Sequence, residues 1–347
     1  MAYRSKSGKA CGDVLTRRRF SACLLGLAAL PFLGGLSSCG NQEAENDIES
    51  QQAQLFVFDT FVTLQAQCSA QTLTKAVERC GYFENTLSRT VEGSDVWRVN
   101  HAQGQPVEVS QETADCLGKA LEYARITEGA FDPTIGALTE LWDFSAQVVP
   151  DADALAEACT HVDFRKVVLD GTTVQLLDPA AALDLGGMAK GFIADDLARL
   201  LREEGCSSAC INLGGNVYVV GAKPDGQPWT VGVQDPNGQS GQIIAKASCE
   251  DISVVTSGLY EKHFVVDGVD YHHILDSRTG YPVDTDVITS SFASTCSADA
   301  DGYATICFLL GSDRGLQLVE GAEGVDGLVQ TVDGAVLVTS DSPFLIA

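Results

Sequence analysis

Three separated stretches of this chain place small, acidic, imidazole and hydroxyl groups at spacings that packing alone rarely selects. They are Asp184-Leu-Gly-Gly-Met-Ala-Lys-Gly191, Tyr271-His-His-Ile-Leu-Asp-Ser-Arg-Thr-Gly-Tyr-Pro282 and Ala300-Asp-Gly-Tyr-Ala-Thr305. Together they describe a site for a phosphorylated ligand and a hard metal ion. In the last stretch Asp301 and Thr305 are four residues apart, so on a helix they present a carboxylate and a hydroxyl to one point. Hard oxygen donors suit Mg2+, which binds through one or two carboxylates, water and substrate phosphate. The plainer alternative is an N-cap aspartate, Asp301 or its neighbour Asp299, followed by a threonine bonded back onto its own helix.

In the first stretch a strand ending at Leu183-Asp184-Leu185 is expected to pass through Gly186 and Gly187 into a helix that begins near Ala189. The two glycines let backbone groups approach a ligand, and a helix N-terminus offers unpaired N–H groups to phosphate oxygens. The same residues also read as a tight turn capped by Asp184. In the middle stretch Tyr271 to Leu275 follows Asp267-Gly268 on the returning strand of a hairpin, with His273 and Leu275 facing one side and His272 and Ile274 the other. A histidine at a strand end, beside the polar turn Asp276 to Gly280, can move protons near neutrality. Taken alone it reads as a surface histidine on a hairpin.

The elements that must position these groups are legible in outline. Alternation from Leu55 to Leu64 predicts a first strand. Helical patterns cover Thr72 to Leu87, Gln111 to Thr127 with Ser110 as N-cap, and Ala152 to Cys159. Asp170-Gly171, Asp267-Gly268 and Asp333-Gly334 each separate β-rich runs, a strong hairpin signal. Helices early and hairpins late predict an α+β fold, a largely antiparallel sheet with packed helices, in one domain over residues 55–347. Neither a Gly-x-Gly-x-x-Gly turn nor a Gly-x4-Gly-Lys-Ser/Thr loop occurs, so a nucleotide must be held by other means.

Charge narrows the partners. With 22 basic and 47 acidic residues among 347, the chain carries −25 and repels nucleic acid, so no nucleic-acid partner is expected. Residues 1–38 run against this balance, with Arg4, Lys6, Lys9, Arg17, Arg18 and Arg19 but only Asp13. Arg17-Arg18-Arg19 ahead of the apolar run Ala22 to Leu36 has the form of a twin-arginine export signal, and Pro31, Gly34 and Gly35 make it a poor membrane span. Leu36-Ser-Ser-Cys39 is similar to a bacterial lipobox. A lipid on Cys39 would anchor an exported protein to the outer face of the cytoplasmic membrane, with residues 39–54 as a flexible tether. Nine cysteines lie beyond Cys39, an odd number with no Cys-x-x-Cys pair, and no disulfide is assigned among them; Cys206 and Cys210 would either bridge or pack.

The ordered set Phe131-Asp-Pro-Thr134, Asp184 to Gly191, Asn212-Leu-Gly-Gly215, Thr256-Ser-Gly258, His273-Ile-Leu-Asp276 with Arg278-Thr-Gly-Tyr-Pro282, and Ala300-Asp301 to Ala304-Thr305 resembles the ApbE family of FAD:protein FMN transferases. The resemblance spans residues 55–345. It implies a Mg2+-dependent enzyme that cleaves FAD, joins FMN through its phosphate to a threonine or serine of an exported acceptor flavoprotein, and releases AMP. Carried onto this chain, the metal ligands are Asp301, Thr305 and the carbonyls of Gly187 and Ala304. Asp184, Lys190 and Ala130-Phe131-Asp132 line the FAD site, Phe58, Thr90 and Ile274 meet the flavin, and His273 is the catalytic histidine. Three positions depart from the family pattern: Ser277 where proline is common, Asp59 where glycine is common, and Phe58 where methionine is common. The rival expectations are an FAD pyrophosphatase, with water replacing the acceptor hydroxyl, and a non-catalytic surface FAD-binding lipoprotein.

Overall fold

The computed structural model describes residues 48–239 and 241–347. The expected export signal, the lipobox at Cys39 and most of the tether lie outside them. Among the described residues no helix is long and apolar enough to cross a membrane, and the nine cysteines, Cys206 and Cys210 included, are free thiols.

The described strands are β1 (Glu49–Val57), β2 (Thr60–Cys68), β3 (Val107–Glu108), β4 (Val167–Asp170), β5 (Thr173–Leu176), β6 (Ala209–Leu213), β7 (Asn216–Val220) and β8 (Trp229–Gln234). They continue as β9 (Ile243–Cys249), β10 (Ile252–Gly258), β11 (His263–Val266), β12 (Val269–His272), β13 (Val287–Ser294), β14 (Val325–Thr331), β15 (Val336–Val338) and β16 (Phe344–Ile346). The helices are α1 (Ala70–Leu87), α2 (Asp95–Asn100), α3 (Gln111–Ile126), α4 (Gly136–Thr139), α5 (Ala152–Cys159), α6 (Ala189–Glu203), α7 (Ser297–Leu310) and α8 (Ser312–Glu320). Eight strands form one sheet in the order β1-β2-β6-β7-β10-β13-β14-β15, with every neighbouring pair antiparallel. This is the expected α+β architecture.

Helix α7 lies at the centre. It packs on β10, β13 and α6, and its small residues Ala298, Ala300, Gly302 and Ala304 are buried, as suits a helix enclosed on several sides. Its first N–H groups are capped from outside: the Asp195 carboxylate on α6 accepts from Ser297 N at 2.7 Å and Ala298 N at 2.9 Å. Ser69, Ser110 and Asp151, each directly before its helix, cap α1, α3 and α5. On the other face of the sheet, the small sheet β16-β9-β8 buries Val233, Ala245, Ala247 and Phe344 against Val219, Val254, Ala293 and Leu328. The hairpin β11–β12 is anchored separately. Phe264 and Leu275 join Leu138, Trp142 and Leu155 in a cluster, and Trp142 Nε1 donates to the Gly280 carbonyl at 2.9 Å.

Three expectations are corrected. The single strand Leu55–Leu64 is two, β1 and β2, folded at Phe58-Asp59 with φ of 55° and 57°. Asp59-Thr60 marks the turn without a glycine, and the reversal sets the exposed, apolar Phe56 opposite Phe61. Strand β1 begins at Glu49, so residues 49–54, expected as tether, are strand. Leu183-Asp184-Leu185 is extended but not a ladder strand: Asn100 serves as its partner, donating to the Leu183 carbonyl at 2.9 Å and accepting from Leu183 N at 2.7 Å, while Asp184 N donates to Pro133 O.

Candidate active site

The floor of the site is the contact between the start of α6 and the second turn of α7. Gly191 N donates to Asp301 Oδ2 at 2.8 Å. A Cβ at Gly191 would lie 2.3 Å from Ser297 O and 2.7 Å from Ala298 Cα, so only glycine lets the helices come this close. One turn further along α7, Thr305 Oγ1 donates to the Gly187 carbonyl at 2.9 Å. Gly187, Asp301 and Thr305 are thereby brought together from distant parts of the chain. The plainer alternatives for this pair fail, because Asp195 caps α7 and the Thr305 hydroxyl leaves its own helix.

Asp301 is only 2% exposed. Burial pushes its carboxyl above the ordinary range, opposed chiefly by the Lys190 ammonium and the Gly191 N–H. One backbone donor compensates little of a charge this deeply buried, and a cation beside it would supply the rest. The Gly187 carbonyl, the Asp301 carboxylate and the Thr305 hydroxyl are hard oxygens of the kind that hold Mg2+ together with water and phosphate. Among the described residues no three His, Cys, Asp or Glu side chains cluster in a metal-holding group; the oxygen set here, with a single carboxylate, is of a different kind. The donor chemistry fits a hard cation. The Ala304 carbonyl, expected in the same set, accepts from Ser290 Oγ of β13 at 2.9 Å and keeps a second lone pair.

Asp184 is fixed on three sides. Its Oδ1 accepts from Gly186 N at 2.8 Å, and its Oδ2 accepts from Thr139 Oγ1 at 2.9 Å and from Arg89 Nε at 3.1 Å. Arg89 was not singled out in the sequence, yet it ties the loop carrying Thr90 to this aspartate. The Phe131 ring is buried, edge-on to Tyr123 with centroids 5.6 Å apart, and its rim would lie 3.1 Å from a Cβ at Gly187. The Asp132 carboxylate is taken up by Thr134 N (2.8 Å), Thr134 Oγ1 (2.6 Å) and Phe164 N (2.9 Å). The side chains of Phe131 and Asp132 are thus both held by contacts within the fold. Ile274 is buried in one cluster with Ala300 and Ala304.

His273 lies one residue past the end of β12 at His272, so the returning strand stops short of the expected Leu275. Its backbone N and its Nδ1 both lie against the Lys262 carbonyl, at 3.1 and 3.2 Å. That acceptor calls for the proton on Nδ1 and leaves the Nε2 lone pair available. Burial and then the Lys190 and Lys262 charges push its pKa down to about 4, so the ring is neutral at pH 7. Lys190 also opposes the burial that raises the Glu261 carboxyl. Lys190, Asp301, Glu261 and His273 thus share one electrostatic neighbourhood. Lys262 Nζ pairs with Asp59 at 2.6 Å, and Phe58 N donates to Glu84 Oε2 at 2.8 Å. The Phe58-Asp59 turn is in this way fastened to the segment that holds His273. Glu261 and Lys262 escaped the sequence reading because no periodicity or turn chemistry marks them.

Comparison with known proteins places the described domain in a family. The ApbE family model matches residues 58–329. The chain belongs to the ApbE family. It is 41% identical over 263 residues to the FAD:protein FMN transferase of Treponema pallidum (strain Nichols), covering 71% of this chain and 73% of that protein. It is 36% identical to an FAD:protein FMN transferase of Klebsiella pneumoniae (strain 342), with 74% and 81% covered. Among solved ApbE structures, that of Thermotoga maritima superposes with a TM-score of 0.77 at 31% identity, covering 84% of this chain and 97% of that one. The flavin transferase ApbE of Vibrio cholerae gives 0.76 at 27% identity, with 86% and 100% covered.

Proposed function

We propose that this ApbE-family protein is a Mg2+-dependent FAD:protein FMN transferase that attaches FMN by a phosphoester bond to a threonine or serine of an acceptor flavoprotein and releases AMP. The observation that carries the reading is the convergence of Gly187, Asp301 and Thr305 beside Lys190, with a neutral His273 in the same field. The Asp301 carboxylate, the Thr305 hydroxyl and the Gly187 carbonyl would hold Mg2+, which when bound neutralises pyrophosphate charge. Lys190 adds a second positive charge at the phosphates. His273 Nε2 takes the proton of the acceptor hydroxyl; the freed oxygen attacks the FMN phosphorus, and the bond from that phosphorus to the AMP phosphate oxygen breaks. Little else is asked of the protein than positioning and charge. Leu36-Ser-Ser-Cys39 supports an exported protein held to the outer face of the membrane by lipid on Cys39.

The test is to incubate residues 41–347 with FAD, Mg2+ and a candidate acceptor domain, and to measure acceptor mass after denaturation. A mass gain equal to FMN, lost on chelation, is the expected result. AMP and free FMN with several acceptors and no adduct would assign the chain to FAD hydrolysis instead. Tight FAD binding with no product would make it a flavin carrier.

A further inference from the structure

The Asp301 carboxylate has a neighbour that the reaction scheme does not use. Asn216, the first residue of β7, is completely buried. Its Oδ1 accepts from Ser297 Oγ at 3.0 Å, and Ser297 Oγ lies 2.7 Å from Ser253 Oγ. With the Ser297 proton spent on Oδ1, the amide can present only its Nδ2 hydrogens to the other side. Ser297 stands one turn before Asp301 on the same face of α7, and Nδ2, the other end of the amide that Ser297 holds, makes no hydrogen bond in this structure; Asn216 also favours the charged form of Asp301. A fully buried amide donor without a partner is costly, about 1–3 kcal/mol. Its placement beside a buried carboxylate that has one backbone donor gives that cost a use.

We infer that Asn216, oriented by Ser297 and Ser253, is a positioning residue that aims the Asp301 carboxylate at a divalent cation. The inference rests on the reading of Asp301 as a metal ligand. Residues behind a ligand commonly change metal affinity by about 10- to 100-fold when removed. Asn216 differs from a packing residue in that its effect is confined to the cation.

The experiment measures Mn2+ binding to the protein by electron paramagnetic resonance, with FAD affinity measured separately in chelator. Asn216→Ala is expected to weaken Mn2+ binding about tenfold or more, to leave metal-free FAD affinity unchanged, and to regain turnover at high Mg2+. Ser297→Ala keeps the amide but releases its orientation, and it is expected to weaken Mn2+ in the same direction by less; it carries the test if Asn216→Ala does not fold. Unchanged Mn2+ affinity in a folded variant, beside a wild type that binds Mn2+, overturns the inference and leaves the site reading intact. A wild type that binds no Mn2+ overturns both.

Discussion

The two halves of the site are built differently. The half formed by Asp184 to Gly191 and Asp301 to Thr305 is locked between packed helices, where glycine allows a contact no other residue would. The half formed by Phe58-Asp59 and Glu261 to His273 sits on a hairpin and a turn, with Lys262 and Asp59 pairing in solvent. Burial suits a region that must hold charge in fixed geometry, because pre-oriented oxygens cost no reorganisation during reaction. On the proposed function, the open half would admit a protein hydroxyl, and only its histidine would need to be held.

Substitutions can break this division. Asp301→Ala should reduce turnover about a hundredfold or more and remove its Mg2+ dependence, as followed by AMP release against Mg2+ concentration. His273→Ala should reduce transfer about 10²- to 10⁴-fold while FAD binding, followed by flavin fluorescence, stays unchanged. Equal loss of FAD binding in both variants would mean that the halves are not separate in function. Gly191→Ala attacks the floor without touching its chemistry. The added methyl must push α6 from α7, and about 1–3 kcal/mol of stability should be lost in denaturant unfolding, with metal affinity falling alongside.

A subtler test uses pH. His273 has its folded pKa pushed down to about 4, so its contribution to stability is complete above the unfolded value near 6.5 and is lost as pH falls toward 4. Asp195, whose pKa burial raises to about 6, has the opposite window: the stability associated with its protonated form is present below about 4 and lost as pH rises to about 6. Melting His273→Gln and Asp195→Asn against wild type from pH 4 to 7 should separate the two trends. Lys262→Met removes one of the charges that hold the His273 pKa down, so the acid limb of the transfer rate should move to higher pH. Smallest of all, Asp59→Gly exchanges a positive-φ side chain and an exposed ion pair for glycine, and stability should change by no more than about 1 kcal/mol.

What was legible in the sequence follows this same division. Local chemistry was readable: helix α5 has the expected bounds Ala152–Cys159, Ser110 caps α3, and all three Asp-Gly pairs turn hairpins. Asp267 and Gly268 both take positive φ, as a two-residue hairpin turn requires. The hairpin at Phe58-Asp59 uses the same geometry without a glycine, and so it went unread. Long-range partners were less accessible. Nothing local announces that Asn100 stands in for a strand beside Leu183, that Asp195 caps another helix, or that Asp132 accepts from Phe164 N. The shared helical face of Asp301 and Thr305 was visible from spacing, but its third member, Gly187, entered only through the family resemblance.

The most direct test of the account is the ratio of AMP released to acceptor modified, measured in one reaction with and without acceptor. A site in which buried oxygens handle the phosphates and His273 admits a protein hydroxyl predicts one AMP per adduct, and negligible AMP when acceptor is omitted. AMP released at the same rate without acceptor would contradict it, because water would then be the natural nucleophile at the open half.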